Sequence, residues 1–231
     1  MNDKKEKEVA FTLMLASSIH DMKNSLSMFM HSCEEMAGRL TPEDVEETKR
    51  MAFLNYEVSR VNNDLMQLLG IYRLKEQMLP LNIDKHFVFE LLEEQLINNS
   101  FLLHARGITC EIDCEEDLEG YFDHKLIAGI INNILVNSAR YANKKIRLIA
   151  SQEENYLSLC VEDDGEGFPE KMLVNPEDHM NDIDFNSGST GLGLYFAAKI
   201  AQLHKQGSKS GYIELKNGGS LSGAVFTIFL P

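Results

Sequence analysis

Four short segments carry side chains whose types and spacing suit phosphoryl chemistry. The first is His20-Asp21-Met22-Lys23-Asn24. On a helix, His20 and the amide of Asn24 fall on one face, and His20 is a candidate phosphoacceptor. The second runs from Asn133 to Asn137, two amides also spaced i, i+4. An amide oxygen is a suitable neutral ligand for a magnesium ion already balanced by phosphates. Arg140 and Tyr141 follow on the same helix end; one can pair with phosphate and the other can pack on a base. The third is Asp163-Asp164-Gly165-Glu166-Gly167. A carboxylate fixed at a strand end can accept the amino N–H of adenine, and Gly165 and Gly167 let the backbone turn tightly toward the ring. The fourth is Gly188-Ser189-Thr190-Gly191-Leu192-Gly193. It opens a helix whose free N–H groups and partial positive charge suit a phosphate. Any one segment alone has an ordinary structural explanation; their joint occurrence does not.

These side chains need elements to hold them. Ile19, Met22, Leu26, Phe29, Cys33, Met36 and Leu40 recur at alternating steps of three and four. So do Met51, Leu54, Val58, Val61, Leu65, Leu68 and Tyr72. Both runs are narrow apolar seams of coiled-coil type. Between them Gly38 ends a helix, Thr41 caps the next, Pro42 takes its first position and Asp44 completes a capping box. The connection is short, so the sequence predicts an antiparallel helical hairpin over residues 1–79. A hairpin buries too little alone, and a homodimer would complete a four-helix bundle. His20, beside the seam residue Ile19, would stand on the bundle's flank.

Met78-Leu79-Pro80-Leu81 ends the repeat and predicts a second domain over residues 80–231. There the pattern predicts a helix over about 85–105 capped by Asp84 and stopped by Gly107. A strand follows at Ile108–Asp113, and a helix capped by Asp123 runs to about Tyr141. Lys145–Ser151 and Tyr156–Glu162 form a hairpin. A helix spans Gly191–His204, and a last hairpin joins Gly211–Lys216 to Ala224–Leu230 across Asn217-Gly218-Gly219. Helices and strands are mixed rather than strictly alternating, which predicts an α+β sandwich with a mixed sheet. Residues 169–187 are polar and acidic with little periodicity, as in a lid.

The net charge of −14 argues against nucleic acid or an anionic membrane as the main partner. It leaves ATP open, because backbone N–H groups and magnesium can build a phosphate site. No apolar run has transmembrane length, and no membrane insertion is expected. Residues 10–19 continue as a helical repeat past His20, which separates them from a signal peptide. Cys33, Cys110, Cys114 and Cys160 read as reduced thiols of a cytoplasmic protein, with a zinc or disulfide role for Cys110 and Cys114 as the other option.

From about Ala10 to Pro231 the order of these segments resembles the catalytic core of the bacterial sensor histidine kinases. Such a core joins a dimerisation and phosphotransfer hairpin to the ATP-binding domain shared with gyrase, Hsp90 and MutL. The resemblance implies that His20 is the phosphoacceptor of the H-box and that Asp21 orients its ring. It implies that Asn24 orients water for dephosphorylation of a response regulator. Asn133 and Asn137 match the N-box, with Asn137 the magnesium ligand. Asp163, Gly165 and Gly167 match the first glycine box; Gly188, Gly191 and Gly193 match the second, with Thr190 and Leu192 between them. It further implies ATP and Mg2+ as cofactors and a response regulator receiver domain as partner. The H-box proline is replaced by Ser25, and the phenylalanine-rich part of the lid is reduced to Asp184-Phe185. With nineteen residues before His20, a soluble kinase receiving its signal from a separate sensor protein is expected. The alternatives are a histidine phosphotransfer hub or response-regulator phosphatase without kinase activity, an ATPase-driven clamp, and an anti-sigma serine kinase.

Overall fold

The structure is a computed structural model. It describes residues 21–22, 24–29, 31–33, 35–36, 39, 45–75, 79–174 and 192–231. His20, the cap at Thr41–Asp44 and the segment 175–191 lie outside the described residues. The chain divides into two compact units, Met1–Leu79 and Pro80–Pro231.

In the first unit the described residues between 21 and 36 are helical, and α1 spans Val45–Lys75. Every second seam residue stays in solvent. Met22 (50%), Phe29 (48%) and Met36 (56%) recur at sevens, and so do Leu54 (44%), Val61 (43%) and Leu68 (48%). Alternate positions are covered: Cys33 is buried, and Leu26, Val58 and Leu65 are half-buried. Each seam thus has a packed edge and an open edge. The Ser25 hydroxyl donates to the Asp21 carbonyl at 3.0 Å. The local backbone is helical, with a back-bond of the kind that bends helices gently.

The second unit runs β1 (Asp84–Phe87), α2 (Val88–Asn98), α3 (Ser100–Arg106), β2 (Thr109–Asp113), β3 (Glu119–Phe122) and α4 (His124–Tyr141). It continues with β4 (Lys145–Glu153), β5 (Tyr156–Asp163), α5 (Glu170–Val174) and α6 (Leu192–Leu203). Last come β6 (Lys205–Gln206), β7 (Lys209–Ser210), β8 (Tyr212–Gly218) and β9 (Gly223–Leu230). The main sheet is ordered β2-β4-β5-β9-β8. Only β2–β4 is parallel within it, so the sheet is mixed.

Strand alternation gives the sheet two unlike faces. Ile146, Leu148, Leu159, Val161, Phe226 and Ile228 are at most 1% exposed and share the face covered by α2, α4 and α6. The opposite face carries Arg147, Glu162, Thr227 and Glu214. The architecture is therefore a two-layer α+β sandwich, as the mixed pattern predicts.

Three expectations need correction. Asp84 does not cap a helix: Asp84–Phe87 pairs antiparallel with Glu119–Phe122, and fully buried Phe122 repays that pairing. The helix that follows is broken at Asn99. Its amide donates to the Gln95 carbonyl and to Asn132 Oδ1, each at 2.8 Å, so the side chain competes with the helix ladder. The final hairpin also turns later than expected. Gly218 pairs with Gly223, and the turn is 219–222 rather than Asn217–Gly219.

Candidate functional site

Helix α4 begins where Asp123 Oδ1 accepts the Leu126 N–H at 3.1 Å, a side-chain N-cap. Asp123 Oδ2 also accepts the Asn82 N–H at 2.8 Å. The Asp123 N–H donates to His204 Nε2 at 3.0 Å, so that nitrogen is an acceptor. The His204 proton therefore sits on Nδ1, which faces the Ile200 carbonyl at 2.9 Å. Asp123 thus joins the start of α4 to the residue after α6. Burial first, opposed by the Ile200 carbonyl and Asp123, pushes the pKa of His204 below its ordinary value.

Along α4, Asn133 is 9% exposed, and Asn137 and Arg140 are exposed. They lie on the flank beside the apolar stripe of Ile127, Ile130, Ile131 and Ile134. Asn132, directly before Asn133 in sequence, turns elsewhere and binds Asn99. The Arg140 guanidinium lies 5.2 Å from the Tyr141 ring centroid, and Tyr141 is 54% exposed.

Asp163 ends β5 and is 2% exposed. Its Oδ1 accepts N–H groups from Gly165 at 3.0 Å and Ala224 at 3.1 Å. The two orient the carboxylate and leave Oδ2 without a hydrogen bond among the described residues. A Cβ on Gly165 would stand 2.5 Å from the Tyr141 carbonyl oxygen and 3.1 Å from Asp163 Oδ1. That glycine therefore lets the end of α4 lie against the Asp163 turn. Gly167 has φ +86, and a Cβ there would meet the Asn217 amide at 2.7 Å. The amide instead brackets the next residue: Asn217 Oδ1 accepts the Phe168 N–H at 2.7 Å, and Nδ2 donates to the Phe168 carbonyl at 2.8 Å.

The structure thus brings Tyr141, Asp163 and Gly165 into contact, with Asn133, Asn137 and Arg140 on the helix leading to them. Leu192 and Gly193 are half-buried in the first turn of α6, and α6 packs on α4. Asp21 and Asn24 are exposed and helical in the first unit. His20, Gly188, Thr190 and Gly191 lie outside the described residues.

Sequence reasoning missed four supports of this arrangement. Gly223 lies under the Asp163 carbonyl, with no room for a Cβ, and a lone glycine before a buried strand was its only signal. Glu162 Oε2 accepts from the Ser220 hydroxyl at 2.6 Å, and Ser220 also receives Arg147 Nη1 at 2.7 Å; both fix the 219–222 turn. Asp164 and Asn217 act on backbone groups distant in sequence, which no local pattern announces.

Cys110, Cys114 and Cys160 are not disulfide-bonded. Burial, with help from Glu111, pushes the Cys110 thiol up to about 12. Among the described residues no cluster of His, Cys, Asp and Glu can hold a metal, and no helix is long and apolar enough to cross a membrane.

Residues 122–231 match the family described as histidine kinase-, DNA gyrase B-, and HSP90-like ATPase. The sensor histidine kinase GraS of Staphylococcus haemolyticus is 27% identical over 188 residues, covering 79% of this chain and 55% of its own length. The sensor histidine kinase YvrG of Bacillus subtilis is 28% identical over 201 residues, covering 82% of this chain and 34% of its own. The chain therefore spans about half the length, or less, of these relatives. The Acinetobacter baumannii histidine kinase AdeS shares the fold, with a TM-score of 0.59 at 21% identity over 90% of this chain and 95% of its own.

Proposed function

Since residues 122–231 belong to the histidine kinase-, gyrase B- and HSP90-like ATPases and the chain carries a histidine kinase catalytic and ATP-binding core, we propose that it autophosphorylates His20 from MgATP and passes the phosphoryl group to an aspartate of a response regulator. The observation that carries this reading is Asp163: a buried carboxylate held on one oxygen by two backbone N–H groups, beside a glycine with no room for a side chain. Oδ2 of such a carboxylate can accept an exocyclic amino group, which selects adenine.

The residues fit the nucleotide and its metal. Tyr141, exposed at the end of α4, offers a ring face to the base, and Arg140 offers charge to phosphate. Gly165 and Gly167 admit the base edge. Gly188, Thr190, Gly191, Leu192 and Gly193 would give backbone N–H groups to the phosphates at the start of α6. Asn137, supported by Asn133, would hold Mg2+, which when bound neutralises charge on the phosphate oxygens.

His20 would act as nucleophile through one ring nitrogen, with Asp21 accepting a hydrogen bond from the other and stabilising the imidazolium. The γ-phosphorus–oxygen bond to ADP breaks as the nitrogen–phosphorus bond forms, and the phosphohistidine then donates to the regulator's aspartate. Catalysis of this kind rests mostly on positioning and charge. Asn24, one turn from His20, would orient water for dephosphorylation of the regulator.

The functional form is a homodimer. The open seam edges of Met22, Phe29 and Met36, and of Leu54, Val61 and Leu68, repeat at sevens, the spacing a second copy would cover.

The test is incubation of wild type and His20→Ala with γ-labelled ATP and magnesium. Acid-labile, alkali-stable label on wild type and none on the variant is the expected result. Label persisting on the variant, or no ATP binding by wild type, would overturn the reading.

A further inference from the structure

We propose that Asp164 is a positioning residue for the base end of the site, bracing the last turn of α4 against the Asp163 turn. The inference rests on the reading of Asp163 as the base acceptor.

Asp164 is half-exposed, a setting in which a carboxylate is usually dispensable, yet it is engaged throughout. Its Oδ1 accepts the Asn143 N–H at 2.8 Å, and the Lys144 N–H lies 3.0 Å from Oδ1 and 3.1 Å from Oδ2. Its own N–H donates to the Lys145 carbonyl at 3.2 Å. Its carbonyl accepts from Asn143 Nδ2 at 2.5 Å. All of these contacts cross from the turn after β5 to the connection after α4 and the first residue of β4. Burial opposes ionisation of Asp164, but hydrogen bonds from the Lys144, Lys145 and Asn143 backbone outweigh it and lower its pKa.

What the carboxylate holds follows from what is already held without it. The β4–β5 ladder pairs Ile146 with Asp163 and fixes the sheet independently. At 142–144 the Ala142 N–H donates to the Ser138 carbonyl at 2.7 Å and the Lys144 carbonyl accepts the Thr109 N–H at 2.8 Å, while the Asn143 and Lys144 N–H groups are tied across by Asp164. Tyr141 precedes that connection directly, and its carbonyl rests where a Gly165 side chain would be. Loss of the carboxylate should therefore release Tyr141 and Arg140 relative to Asp163 while the sheet stays intact. The site would lose its grip on the base before its grip on phosphate.

The experiment is equilibrium binding of ATP, GTP and inorganic tripolyphosphate, each with magnesium. It uses the full chain as wild type, Asp164→Ala and Asn143→Ala, with folding checked by circular dichroism. Asp164→Ala should bind ATP roughly tenfold more weakly, with a narrowed preference for ATP over GTP and unchanged tripolyphosphate affinity. Asn143→Ala, which loses the side-chain contact but keeps the backbone ones, should fall between. Wild-type affinity and preference in folded Asp164→Ala would overturn the proposal, as would an equal loss for ATP and tripolyphosphate. Should Asp164→Ala fail to fold, Asn143→Ala decides by the same criteria. A wild type that does not prefer ATP overturns the base-site reading itself, and that failure appears in a separate arm.

Discussion

Asp163 and Gly165 divide the work of one small surface. The carboxylate is oriented by two N–H groups, and the glycine keeps the neighbouring helix end close. Asp163→Asn keeps the shape but removes the charge and puts an amide on the acceptor side. ATP affinity should fall roughly 10- to 100-fold, the cost of a charge-assisted hydrogen bond, as read by calorimetry on a protein whose melting temperature is little changed. Gly165→Ala is a different lesion. Its methyl must displace the Tyr141 carbonyl, so stability itself should drop by about 1–3 kcal/mol, measured by urea unfolding. Both residues were legible from the Asp-x-Gly-x-Gly spacing once it was taken together with the other three segments. Asp164 was not, because its partners are backbone groups about twenty positions away, and backbone groups leave no trace in residue type.

At the scale of elements, α4 and α6 are joined at one end by the Asp123–His204 hydrogen bond. Above the ordinary pKa of 6.5 His204 is neutral in both folded and unfolded chains, and its contribution is complete. Its folded pKa is lowered, so as the pH falls below 6.5 the unfolded chain takes up a proton that the native one resists. Stability should then decline by at most about 1.4 kcal/mol per pH unit, seen as a urea midpoint lower at pH 5.5 than at pH 7.5. His204→Gln should flatten that dependence over the same interval. Asp164 works in the same direction at lower pH: its pKa is lowered from 3.8, so its bracing is lost only as the pH falls below that value. The elements themselves were mostly readable. Asp123 announces α4, and the alternating runs announce β4, β5, β8 and β9. The small β1–β3 sheet was not, since Asp84–Phe87 has no apolar alternation and exists through its partner strand.

Across the whole molecule, the heptad spacing announced the two apolar seams, each with an open edge among the described residues. Val61→Lys places a charge in the middle of one open edge, and burying it unpaired is costly. Wild type should sediment as a dimer and the variant as a monomer at micromolar concentration, with autophosphorylation lost and ATP affinity kept. The order of the main sheet has a consequence for how the chain is made. β9, the last strand in sequence, lies between β5 and β8 rather than at an edge. A ribosome releases the strands in numerical order, so β5 waits with one side unpaired until β9 emerges about seventy residues later, as its pairing of Leu157 with Leu230 implies. Long-range pairing of this sort is slow and leaves apolar strand edges open in the interval. The helical segments, built from local contacts, can form long before. While the chain is being made, the helices of the first unit can be shaped with the main sheet of the second still unsealed, and Gly223–Leu230 acts as the closing stave of that sheet.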